Sequence, residues 1–224
     1  MKLSISTSQD ALKDAGGSNF IGTEGIFDVT LNFVSISTTK GGAKQVDFNV
    51  AYKGNNQVIY GPIIVNKDEK INEIGMSLIN KLGVIVGLGE GDELTVAEET
   101  HKVGKDNKPQ DFEVITDFSG QDVKLRVQRE YTRYNGEVQR SLVIRNVFRA
   151  DGASAAEISS EGEVGKQMAL ELEKYCAAPA YKDGVTPEEA TAFDAAKSSA
   201  AKSGASPVST VTGKKTSMFG AKAS

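Results

Sequence analysis

The stretch that decides the fold runs Val123-Lys124-Leu125-Arg126-Val127-Gln128-Arg129-Glu130-Tyr131-Thr132-Arg133-Tyr134-Asn135-Gly136-Glu137-Val138-Gln139-Arg140-Ser141-Leu142-Val143-Ile144-Arg145-Asn146-Val147-Phe148. Val123, Leu125 and Val127 alternate with Lys124, Arg126 and Gln128, the period of two that marks a strand with one face in a core. Asn135-Gly136 is the strongest short-range hairpin signal in the chain, because both residues accept the positive φ that a tight turn requires. The spacing predicts two long antiparallel strands, Val123 to Tyr131 and Val138 to Phe148, with Lys124 and Arg126 pointing outward together. The returning strand obeys no clean period: Leu142 and Ile144 share a face with Arg140, and Val143 and Val147 share one with Arg145.

Upstream, Phe27, Val29, Leu31 and Phe33 alternate with polar residues, and after the turn Thr38 to Lys44 so do Val46, Phe48, Val50 and Tyr52. These read as a hairpin with one apolar face. Lys53-Gly54-Asn55-Asn56 is a second turn, and Val58 to Val65 a third strand whose Gly61-Pro62 suggests a bulge or an edge. From about Glu69 to Leu88 the period becomes helical through Ile71, Ile74, Leu78, Leu82 and Ile85, so a helix is expected to plug or flank the sheet. Glu93 to Val96 is a short strand candidate, Lys102 to Pro109 a mobile lysine-bearing loop, and Phe112 to Phe118 fits no single period.

Beyond Ala150 the composition shifts to Ala, Ser, Gly and Glu. One helix is predicted from about Glu161 to Ala177, with Val164, Met168, Leu172 and Tyr175 on one face. Another starts at Thr186-Pro187-Glu188-Glu189, with Thr186 as cap and Pro187 in the first turn, and runs through Ala196. Fold class follows: mainly β with one or two helices (α+β), organised as a β-domain over 1–150, a helical appendage over 151–196 and a flexible Ala/Ser/Lys tail over 197–224, disordered in isolation.

The chain has 224 residues and a formal net charge of −4, so any affinity for nucleic acid must come from local asymmetry rather than bulk positivity. That asymmetry exists. All six arginines fall between Val123 and Arg149, and with Lys124 against Glu130 and Glu137 they leave a local net of +5. Arginine grips phosphate through two parallel bonds, and tyrosines beside it offer flat surfaces on which bases stack. Lys124, Arg126, Arg129, Arg133, Arg140 and Arg145 are therefore the expected phosphate contacts, with Tyr131 and Tyr134 as stacking platforms. Lys40, Lys44, Lys102, Lys105 and Lys108 would extend the positive groove if the fold brings them alongside. The bland alternative is that the arginines pair with neighbouring carboxylates and the tyrosines pack the hairpin end.

A single cysteine, Cys176, and a single histidine, His101, leave no disulfide framework or multi-Cys zinc site to build. Gly87-Leu88-Gly89-Glu90-Gly91 follows a helix rather than a strand and reads as a turn, not a phosphate loop. Glu98-Glu99 and Glu188-Glu189 suit solvation or helix starts. No nucleophile stands with a base, so an enzyme is not expected and no cofactor is called for. The opening Met1 to Ser6 lacks a secretory apolar core and no run of about 18 apolar residues occurs, so a soluble cytoplasmic protein with no membrane partner is expected.

Taken together, the Gly25-to-Thr30 strand carrying Phe27-Asp28-Val29-Thr30, Thr39-Lys40-Gly41-Gly42, the Asn72 to Leu88 helix ending at Gly87, and Val127-Gln128-Arg129-Glu130-Tyr131 with Asn146-Val147-Phe148 carry a resemblance. Over about residues 20 to 150 the chain resembles the single-stranded-DNA-binding proteins of tailed bacteriophages. The resemblance implies an OB-like antiparallel β-barrel with an inserted helix, protecting single strands during phage DNA replication or recombination in the cytoplasm of an infected bacterial cell. Many proteins of that functional class end in an acidic tail, whereas Lys197 to Ser224 holds five lysines and no Asp or Glu. Two further readings stay open: a transcription cofactor holding a melted strand and recruiting a phage RNA polymerase, with the Glu161 to Tyr175 helix as its contact, and a structural phage β-domain without nucleic-acid affinity. Replication proteins would be the partners on the first reading, and an exposed edge at Val58 to Val65 allows a homo-oligomer.

Overall fold

The computed structural model describes residues 19–104, 108–176 and 178–202, with side chains described through residue 197. Eight strands form one sheet: β1 (Gly25–Thr38), β2 (Lys44–Tyr52), β3 (Asn55–Val65), β4 (Val96–Val103), β5 (Lys108–Ile115), β6 (Gln121–Tyr134), β7 (Glu137–Arg149) and β8 (Ala180–Tyr181). All ladders are antiparallel except the short β6–β8 pairing. The long β1 is the branch point. Its first half, Gly25 to Leu31, pairs with β6, whereas Val34 to Ile36 pair with β5 and the opposite edge carries β2 along most of its length. β3 and β7 come into contact, but no ladder among the described residues joins them, so the sheet is open at that seam.

Helix α1 (Glu73–Ile85) packs on both β3 and β7 and covers the seam. Asn72 caps it by accepting a bond from the Gly75 amide at 3.3 Å, and Leu78, Ile79, Leu82 and Ile85 turn into the core. Ile71 precedes the helix, and it and Ile74 are exposed, so the apolar stripe is shorter than its sequence suggests. Gly75 is required by close approach: a Cβ there would lie 1.9 Å from the Ile63 carbonyl oxygen.

Two bulges redirect side chains that simple alternation misplaces. On β1 the register shifts between Leu31 and Phe33, so Leu31 and Val34 join the core while Phe33 leaves it for the opposite face. On the β6–β7 hairpin the shift opposite Arg126 and Val127 lets Ile144 and Val147 both face inward, which is why β7 shows no clean period. In the expected lysine loop Lys102, Val103, Lys108 and Pro109 are strand, and residues 105–107 lie outside the described residues: β4 and β5 form an arm paired from Val96–Ile115 to Val103–Lys108, whose described ladder to β1 is confined to its base.

Beyond β7 come α2 (Ala155–Ser159), α3 (Lys166–Tyr175) and α4 (Pro187–Lys202). α3 reverses the expected amphipathic face: it buries Glu171, while Val164 just before it, Leu172 and Tyr175 are exposed. Thr186 and Glu189 close a reciprocal cap at the start of α4, and the helix extends past the expected end at Ala196. The remaining tail, like the lead before Asn19, lies outside the described residues. No described helix is long and apolar enough to cross a membrane.

Candidate functional site

The arginine hairpin was the expected site, and the structure gives its charges internal partners. Arg126 lies beneath α3 with Nε 2.5 Å from Glu171 Oε2 and its guanidinium 5.4 Å from the Tyr175 ring centre, so its side chain is not the outward, solvent-facing group that alternation suggests. Arg129 donates to both oxygens of Glu24 at 2.6 and 3.0 Å and reaches Asp194 on α4 at 3.4 Å. The Glu24 hydrogen bond holds the Arg129 pKa above its ordinary value. Arg133 grips Glu189 at 2.6 Å, Arg140 meets Asp194 at 2.8 Å, and Arg145 meets Glu130 at 2.6 Å. Lys124 pairs with Asp28, and Arg149 with Asp151. Glu130 is partly desolvated, yet Lys182 and Arg145 together pull its pKa below normal.

Tyr131 is corrected from platform to core. It is 2% exposed, packs with Val185, Ala190, Val138 and Phe193, and donates its hydroxyl proton to Asp194 at 2.6 Å. Burial first, and the Asp194 bond second, raise its pKa. Tyr134 alone of the pair remains exposed, at the hairpin tip. The alternative weighed from sequence describes this face for the arginines, which pair with carboxylates, and for Tyr131, which packs, but not for Tyr134; the carboxylates come largely from the C-terminal appendage.

The lysines lie elsewhere. Lys40 is exposed in the β1–β2 turn, Lys44 begins β2 and meets Glu113 at 3.5 Å, and Lys102 and Lys108 sit near the end of the β4–β5 arm. Lys105 falls outside the described residues. Between the arm and the outer face of β1, β2 and β3 is a cleft of about 600 Å³, lined by Phe20, Asn32, Phe33, Asn49, Asn56, Gln57, Val58 and His101 to Gly104.

Each wall has a local cause. The β1 bulge delivers Phe33, whose ring stacks on His101 at 3.9 Å and 12°, tying the arm to the sheet. Glu99 meets His101 Nε2 at 2.7 Å and fixes the imidazole. Gln57 clamps the main chain of Ile21 through two 2.9 Å bonds, and Ile21 plugs the core, which sets Phe20 at the rim. Phe33, Asn49 and Val58 form one row across three strands, and Ser35, Asp47 and Tyr60 the next. Tyr60 is 65% exposed. From Asn49 to Gln45 the strand rise gives a track of about 13 Å along this face.

The alternation and charge read from the sequence do not bring Tyr60, Phe33, His101, Asn49 and Phe20 together as a group. The only available signal was the failure of strict alternation around Phe33. No protein-family model matches the chain, and no curated protein matches it. The likeness to phage single-strand binders therefore rests on the strand, turn and helix pattern alone.

Proposed function

We propose that the protein binds single-stranded DNA non-catalytically, in the cleft and along the outer face of β2 and β3 rather than on the arginine hairpin. The observation that carries the reading is the cleft itself: aromatic rings, side-chain amides and a lysine-bearing arm converge on one concave sheet face, the combination by which single strands are held through stacking and phosphate contact. The order of β1, β2, β3, α1, β6 and β7, with β1 shared between β2 and β6 and with β7 beside β3, supports an OB-like barrel, partly open, with the β4–β5 arm inserted after the helix. In such barrels the second and third strands and their flanking loops form the usual oligonucleotide face. Stacking would fall to Tyr60 and the rim aromatics, and phosphates to Lys102, Lys108 and Lys40. On the resemblance, the strand is phage DNA exposed in replication or recombination.

The test is a titration of labelled oligothymidylate and of its duplex counterpart, with wild type and with the double variant Tyr60→Ala, Lys102→Ala. Salt-sensitive binding that favours the single strand is expected. The variant should lose about tenfold or more in affinity, in line with about 1–3 kcal/mol per stacked base, and melt like wild type. Failure of the folded wild type to bind at micromolar protein and low salt would overturn the reading.

A further inference from the structure

Asn49 is the anomaly of the cleft. Phe48 and Val50, its neighbours on β2, are fully buried in the core, so alternation sends Asn49 to the cleft face, where it is 6% exposed between Phe33 and Val58. Among the described residues its side-chain amide has no hydrogen-bond partner, and Asn49 lines the cleft. Val, Ile or Thr would suit the strand better. A polar group at such a strand position, opening on aromatic walls, is suited to a ligand that carries both a donor and an acceptor on a flat edge.

Resting on the single-strand reading above, we infer that the cleft floor is a base pocket in which Asn49 bonds the edge of one unstacked nucleobase regardless of its identity. The amide presents one donor and one acceptor side by side. Every nucleobase also carries an adjacent donor and acceptor on its pairing edge: amino group and ring nitrogen in adenine and cytosine, ring N–H and carbonyl oxygen in guanine and thymine. One amide can therefore serve all four bases, and the discrimination it makes is between a base and no base. Phe33 and His101, stacked on each other, form a flat wall beside it.

The experiment compares short oligothymidylate, oligoadenylate and oligocytidylate with an abasic tetrahydrofuran-phosphate chain of equal length and charge, using wild type, Asn49→Leu and Asn49→Ala. Leucine keeps the side chain's size and removes both bonds, so Asn49→Leu should melt no lower than wild type, whereas Asn49→Ala opens a cavity between Phe33 and Val58 and is read only where it remains folded. Wild type should bind each base-bearing strand more tightly than the abasic chain. The variants should lose about tenfold or more on base-bearing strands and nothing on the abasic chain. Unchanged binding by Asn49→Leu, or equal weakening on both kinds of chain, would overturn the base pocket, leaving the amide to bond water only. Loss confined to one base would overturn its base tolerance. A wild type that binds neither chain would instead bring down the single-strand reading and the pocket with it.

Discussion

Asp47 shows how finely the outer face of β2 is set. It stands in the row between Ser35 and Tyr60, and burial raises its pKa against the opposing hydrogen bonds from Ser37 and Gln45. A carboxyl whose folded-state pKa exceeds its unfolded value is favoured in its protonated form by folding, so its contribution to stability is best below the unfolded range and declines as pH rises through the folded pKa. Asp47→Asn should therefore raise the urea midpoint at neutral pH, and the gain should vanish by about pH 3, where aspartate is already neutral. The same change removes a negative charge from the path of a bound strand, so affinity for oligothymidylate should rise at neutral pH and match wild type in acid. Equal midpoints at neutral pH would show that Asp47 pays no burial penalty.

At the scale of elements, the docking of α3 on β6 depends on a buried ion pair. Glu171 accepts from Asn146 at 2.7 Å and Gln167 at 3.0 Å and faces Arg126, whose side chain is 14% exposed. Glu171→Ala leaves that guanidinium without a counter-charge and should cost about 3–5 kcal/mol in urea denaturation, whereas the pair Arg126→Met, Glu171→Met should recover most of the loss. A double variant as unstable as the single one would place the stability in the network rather than in charge balance. This helix also shows where sequence reading stops. The β6–β7 hairpin was legible because Asn135-Gly136 and the alternation around Leu125 are local signals. The inverted face of α3 was not, because burying a glutamate in preference to Leu172 makes sense only once Arg126 and Asn146 are known to lie beneath it. The β4–β5 arm was hidden for a related reason: Glu98, Thr100 and Lys102 are exposed while Ala97, Glu99 and His101 are only half-buried, so neither face reads as apolar. Phe33 was placed in the core because Phe27, Val29, Leu31 and Phe33 alternate cleanly, and only the apolar Val34 directly after it breaks the period beside the bulge.

For the molecule as a whole, the distribution of charge determines how binding responds to salt. A chain of net −4 that commits all six arginines to its own carboxylates has only lysines left for phosphate. With roughly two to four lysine–phosphate contacts, the logarithm of the binding constant for single strands should fall against the logarithm of salt with a slope of about −1.4 to −2.8, at about −0.7 per contact. The triple variant Arg126→Ala, Arg129→Ala, Arg133→Ala then separates two roles for the hairpin. If its arginines hold the appendage, the variant loses thermal stability, because Glu171, Glu24 and Glu189 are left unpaired, while its slope stays that of wild type wherever it remains folded. A wild-type slope steeper than about −4 that becomes shallow in a folded triple variant would mean that nucleic acid competes the carboxylates away and that the appendage covers a second binding face.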